Sequence, residues 1–170
     1  MTLPDIRIRP ETPELDDAIE QLADRAFGPG RQVKTSYRLR EGTSPIAGLC
    51  LVALLDQRLV GTIRFSPITV GGVACLLLGP LAVEPDLKGK GCGLALMREG
   101  LSRAYGKGYS RVILVGDLPY YARAGFSRVP EGRIMLPGPV DPERLLWLEL
   151  RQGAFDGVSG MAEPDMTVPA

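Results

Sequence analysis

The stretch Leu81-Ala82-Val83-Glu84-Pro85-Asp86-Leu87-Lys88-Gly89-Lys90-Gly91-Cys92-Gly93-Leu94-Ala95-Leu96 decides how the chain reads. Before it lies Val73–Val83, the most apolar run of the sequence. After it, Leu94, Met97, Leu101, Ala104 and Tyr105 recur at helical spacing until Gly106 and Gly108 end the pattern. A loop with glycines at 89, 91 and 93 therefore joins a buried strand to a helix. Glycine has no Cβ to obstruct close approach, so successive backbone N–H groups there can converge on one anion. The helix adds the partial positive charge of its N-terminus, and Lys88 and Lys90 add mobile cations. Lys88–Gly93 reads as a pyrophosphate cradle.

Its spacing excludes two nucleotide loops. A P-loop needs Ser or Thr after its lysine, and glycine follows Lys90. A dinucleotide fingerprint needs glycine at 94 or 96, where leucine stands in both places.

Outward from the loop, strands and helices alternate. Ile6–Arg9 alternates as a short strand halted by Pro10, and a helix follows from Thr12 as its cap and Pro13 to Ala26, ended at Gly28-Pro29-Gly30. Residues 31–40 predict a second short helix. Leu49–Leu55 and Leu59–Phe65 form a hairpin about Asp56-Gln57-Arg58, and Pro67 with Gly71-Gly72 brackets a further turn. Val73–Val83 is apolar on both faces, as a central strand covered on each side would be. Gly79-Pro80 interrupts it, and because proline donates no ladder hydrogen bond, a bulge or local loss of pairing is expected there. Val112–Val115 is a second buried strand, parallel to the first across the intervening helix. Leu118–Ala124 predicts a short helix, Arg133–Leu136 and Leu145–Leu150 two more strands, and Pro137–Pro142 a turn.

Residues 1–150 of the 170 are expected to form one domain, with 151–170 a tail, loosely packed or mobile. Twenty Lys plus Arg balance twenty Asp plus Glu, which argues against nucleic acid as a main partner. No stretch is long and apolar enough for a membrane span, the first residues lack a signal peptide, and the cytoplasm is the expected location. Cys50, Cys75 and Cys92 have neither disulfide nor zinc-site spacing, so no metal is expected. With no histidine in the chain, every His-dependent catalytic device is excluded.

The loop resembles the [QR]xxGx[GA] signature of the GNAT superfamily of N-acetyltransferases at Lys88-x-x-Gly91-x-Gly93, with Lys in place of Gln or Arg. Val83–Leu96 is similar to that family's V-x-P-x-x-R-G-x-G-I-G-x-x-L core. Tyr120-Tyr121-Ala122-Arg123-Ala124-Gly125-Phe126 is similar to its F-Y-x-x-x-G-F segment. Leu78–Val83, Gly125-Phe126 and Pro137–Asp141 also look like a bacterial branch of predicted N-acetyltransferases.

The resemblance implies an α/β (α+β) fold with a mixed central sheet, its fourth and fifth strands splayed, flanked by helices. It implies acetyl-CoA as co-substrate and direct transfer of the acetyl group to an amine of a small molecule or peptide. A non-catalytic acyl-CoA-binding or regulatory domain is the alternative. The cofactor residues it implies are Leu81, Ala82 and Val83 on the strand, then Lys88, Gly89, Lys90, Gly91, Cys92, Gly93 and Leu94 around the loop. Tyr121, four residues before Gly125, takes the place of the family's general acid, with neighbouring Tyr120 as the competing hydroxyl. For the base, Glu84, Asp117, Glu41 and a water chain stay open, and Arg64 is a candidate for the acceptor pocket, against which a residue on the strand surface is the plainer reading. Cys92 invites a covalent role, against which a small packing side chain is the plainer reading. Residues 28–45 and 130–145 are expected to build the acceptor pocket. Oligomeric state is open, a homodimer included.

Overall fold

The computed structural model describes residues 5–28 and 35–168. Among the described residues nine strands carry the fold: β1 (Ile6–Pro10), β2 (Leu51–Leu55), β3 (Arg58–Val70), β4 (Val73–Val83), β5 (Arg111–Val115), β6 (Ser127–Arg128), β7 (Ile134–Met135), β8 (Leu145–Glu149) and β9 (Gly160–Pro164). The main sheet runs β1-β2-β3-β4-β5-β8-β6, and β9 pairs with both β3 and β7. All pairs within the main sheet are antiparallel except β4–β5, the parallel pair at its centre. Helices α1 (Asp16–Phe27), α2 (Thr35–Arg38), α3 (Cys92–Gly106) and α4 (Leu118–Tyr121) complete the order. The expected mixed sheet is present. Among the described residues no helix is long and apolar enough to cross a membrane.

The two-sided apolarity of β4 has a direct structural cause. Leu76 and Leu78 enter a core shared with Leu96, Met97 and Leu101 of α3, while Cys75 and Leu77 enter a second core on the opposite face. Side chains alternate along a strand, so both cores draw on the same short run. On the α3 face the approach is close: a Cβ at Gly100 would stand 2.5 Å from Phe65 Cε1. The β2–β3 hairpin turns at Asp56 and Gln57, both at positive φ, which matches the twist of two-residue hairpins.

Three expectations change. The α-helix begins at Asp16 rather than at Pro13, because Pro13–Leu15 winds as a tighter 3-10 turn and the Thr12 side chain makes no cap bond. Pro67 does not bracket a turn, since β3 runs through it to Val70, opposite Leu76 of β4. Its carbonyl accepts from Asp165 N, so its backbone faces away from β4 and the missing N–H breaks no β3–β4 bond. The short strands β6 and β9 were not foreseen.

The third change concerns the described residues 151–168 of the tail, which pack onto the sheet rather than lying loose. The second core needs a cover, and Phe155, Val158 and Ala162 provide it against Ile68, Leu77 and Ile113. The Phe155 ring stacks on Trp147 with centroids 4.6 Å apart. Arg133 donates to the carbonyls of Phe155 and Val158, and β9 pairs with the end of β3. Phe155 is only 2% exposed, so Phe155→Ala is expected to cost about 3–5 kcal/mol in urea unfolding. A loss well under 1 kcal/mol would return these residues to the status of a loose tail.

Candidate active site

The parallel pairing of β4 with β5 is confined to Leu76↔Val112 and Leu77↔Ile113. Past Leu77 the two strands part. On its other side β4 stays paired with β3 up to Val83↔Gly61, with a register shift between Ile63 and Phe65 opposite Gly79-Pro80. The expected bulge and splay are therefore both present, and the Gly79-Pro80 peptide is cis. Glu84 N donates to Val60 O across the sheet at 2.8 Å. Strand backbones alternate, so Ala82 also faces β3, whereas Leu81 and Val83 turn their N–H and C=O groups to the side that β5 has left. The result is a cleft of about 1100 Å³.

The Gly-rich loop forms one end of that cleft. Gly89 and Gly91 hold φ of 80° and 93°, a left-handed backbone that side-chain-bearing residues rarely adopt. Gly91 is the N-cap of α3 and no side chain caps it. The first intrahelical bond there is Ala95 N to Gly91 O, so the amides of Cys92, Gly93 and Leu94 keep free donors. Of the ten residues expected to hold the cofactor, Leu81, Ala82, Val83, Lys88, Gly89, Gly91, Cys92, Gly93 and Leu94 line the cleft. Lys90 is the exception: it is not among the lining residues, and its amide donates to Leu87 O instead.

The neighbouring side chains separate the roles sketched from sequence. Cys92 is 2% exposed, and burial pushes its thiol up to about 11. Cys92 packs toward Gly61, and the desolvation that raises its thiol agrees with a packing role. Tyr120 and Tyr121 both line the cleft, their rings edge to face at 5.0 Å. A Cβ on Gly93 would collide with the Tyr120 hydroxyl, and one on Gly116 with the Tyr121 ring. Burial, with Tyr120 and Asp117 nearby, raises the Tyr121 hydroxyl to about 12. Burial and Cys92 also raise that of Tyr120.

The far wall is built by α2 and the Pro137–Asp141 turn. Thr35 Oγ1 donates to Pro139 O at 2.6 Å, and Arg38 Nη1 to Pro137 O at 3.0 Å, so the two expected acceptor segments meet. Glu84 does not reach the cleft. Its side chain is 8% exposed and holds Arg25 at 2.5 Å, tying the end of β4 to α1. Glu41 is also outside, and of the three carboxylates only Asp117 lines the cleft, 3.4 Å from Arg144. Arg64 is turned away from the acceptor side by Glu11, which takes both its Nε and Nη2. Arg40 lines the cleft instead, and sequence reasoning passed over it. A signal existed in residues 31–40, where four cationic side chains have no acidic one among them. Among the described residues no group of three or more Cys, Asp or Glu is placed to hold a metal ion.

The family model described as the Acetyltransferase (GNAT) family matches residues 17–126. This chain belongs to the GNAT family. YhbS of Escherichia coli K12, named as an uncharacterized N-acetyltransferase, is 31% identical over 159 residues, covering 92% of this chain and 94% of its own. The 1.55 Å crystal structure of YhbS with CoA is similar at TM-score 0.81 and 29% identity, over 97% of this chain and 93% of that one. A GNAT family acetyltransferase from Brucella melitensis, solved with acetyl-CoA, has TM-score 0.63 and 32% identity, over 84% of this chain and 94% of its own. The splayed strands and the uncapped α3 N-terminus are thus features of a GNAT acetyltransferase.

Gly93 is the loop residue that the Tyr120 hydroxyl lies against. Gly93→Val would push the Tyr120 hydroxyl aside and crowd the free amides. CoA affinity in a calorimetric titration is expected to fall by at least about tenfold, near 1.4 kcal/mol. Undiminished affinity would mean that CoA does not approach the start of α3.

Proposed function

We propose that this GNAT chain transfers an acetyl group from acetyl-CoA directly to a primary amine within the cleft between β4 and β5. The open edge of β4 carries this reading. The backbone of Leu81 and Val83 would pair with the amide-bearing arm of the cofactor, as a sheet edge pairs with an extended peptide. The free amides of Cys92, Gly93 and Leu94, together with Lys88, would hold the pyrophosphate.

The Val83 N–H, aimed into the cleft, would donate to the thioester carbonyl oxygen as negative charge develops on it, an effect of about 3 kcal/mol for one such donor. The neutral amine attacks the carbonyl carbon; the new C–N bond forms, the C–S bond breaks and the electron pair leaves on sulfur. Tyr121 stands as the acid. With its hydroxyl raised to about 12, it remains a hydrogen-bond donor to the departing sulfur at any working pH. The proton from the amine leaves by water or through Asp117, the candidate carboxylate that lines the cleft. A specific observation keeps Tyr120 as the second reading for the acid, namely its hydroxyl lying against Gly93. The cytoplasm is the proposed location of the reaction.

Thiol release from acetyl-CoA across a panel of amines tests this reading. Tyr121→Phe is expected to lower kcat about 100-fold, the size of one acid's contribution, while acetyl-CoA affinity changes little. Unchanged kcat in that variant, with the loss appearing in Tyr120→Phe, would move the role to Tyr120. Activity should rise with pH toward the acceptor's own pKa, near 10.4 for a lysine-like amine. Because the Tyr121 hydroxyl stays protonated until pH nears 12, it should impose no falling limb below that point. Acetyl-CoA binding with no turnover on any amine would favour the non-catalytic alternative.

A further inference from the structure

We propose that the acceptor amine also carries a carboxylate, and that Arg40 is the side chain that binds it, a proposal that rests on the acetyl-transfer reading of the same cleft. The ground is a largely buried cation with no acidic partner among the described residues. Arg40 lines the cleft, yet its Nε and Nη1 are sealed from solvent with no hydrogen-bond acceptor. No described acid pairs with it. Tyr37 compensates it in part, with its ring face 4.6 Å from the guanidinium carbon and its hydroxyl favouring the charged form. Desolvation lowers the guanidinium to about 10, with Tyr37 offsetting part of that and Arg64 adding repulsion.

Three other arginines of the cleft have partners, and Arg123, which also lines it, is exposed to water. Arg25 has Glu84, Arg144 has Asp117, and Arg38 has the Pro137 carbonyl. A partly dehydrated charge without a partner is destabilising, and in a binding cleft the group that offsets it is the ligand. The position agrees with that role. Nη2 of Arg40 lies against Gly79, 3.0 Å from where a Cβ would stand, at the kink from which Leu81 and Val83 lead to the open edge. An anion held there leaves the rest of the acceptor to extend along β4 toward the thioester carbonyl. One guanidinium balances one negative charge. A carboxylate would leave the pair neutral.

Binding to the protein saturated with CoA tests this without requiring turnover. The probes are free amino acids, β-alanine and γ-aminobutyrate, each against its carboxamide, with aminoethyl phosphate alongside, all titrated calorimetrically. At least one amino carboxylate is expected to bind about 100-fold more tightly than its carboxamide, the discrimination expected of one charge-assisted contact. Arg40→Met should abolish that preference and leave CoA affinity in place, while Arg40→Lys should retain part of it. Carboxamides binding as well as carboxylates, or aminoethyl phosphate binding best, would overturn the proposal in the unaltered protein, whatever the variants do. A carboxylate preference without acetyl transfer would leave Arg40's role standing and remove the transferase reading. Transfer to simple amines with no carboxylate preference would do the reverse.

Discussion

Everything in the site depends on the parting of two strands that are held together by only two register pairs. β4 and β5 share Leu76↔Val112 and Leu77↔Ile113, and the bulge at Gly79-Pro80 then turns β4 away while β3 keeps hold of it. A sheet that stayed closed would spend the Leu81 and Val83 amides on β5. An open one leaves them unpaired at a cleft wall, where backbone groups stay favourable only if a ligand or water meets them. The same opening makes room for Tyr120 and Tyr121 at one end and for α2 with the Pro137–Asp141 turn at the other.

The parted strands are affordable because the rest of the sheet is anchored from both faces. α3 packs one face through Leu96, Met97 and Leu101, with Gly100 against Phe65. Residues after Leu150 pack the other, through Phe155, Val158 and Ala162. The Glu84–Arg25 ion pair fastens the end of β4 to α1 just beyond the amides that matter. Burial then sorts the titratable groups: the Cys92 thiol and both tyrosine hydroxyls stay protonated, while Arg40 stays cationic without a counter-ion.

Much of this was legible in the sequence, for physical reasons that differ by element. The apolar run of β4, the glycines before α3 and the proline within the strand each carry a local constraint, so the sheet centre and the loop could be read directly. The Tyr120-Tyr121 pair could be read as near the site, but which hydroxyl goes where depends on contacts with Gly93 and Gly116 that no local pattern encodes. β9 was hidden because its partners, β3 and β7, are distant in sequence and Gly160–Pro164 has little strand character of its own. The two arginines are told apart by distant contacts: Glu11 holds Arg64, and the lack of an acidic partner marks Arg40. Lys90 was counted with the cradle by adjacency, whereas the loop turns it off the cleft.

The central claim is that the open β4 edge and the start of α3 receive acetyl-CoA through backbone amides. Residue-resolved amide hydrogen exchange, with and without saturating acetyl-CoA, tests it most directly. The account predicts ready exchange at Leu81, Val83, Cys92, Gly93 and Leu94 in the free protein, and strong protection at all five when acetyl-CoA is bound. Protection of Leu81 and Val83 in the free protein, or no change at these amides on saturation, would contradict it.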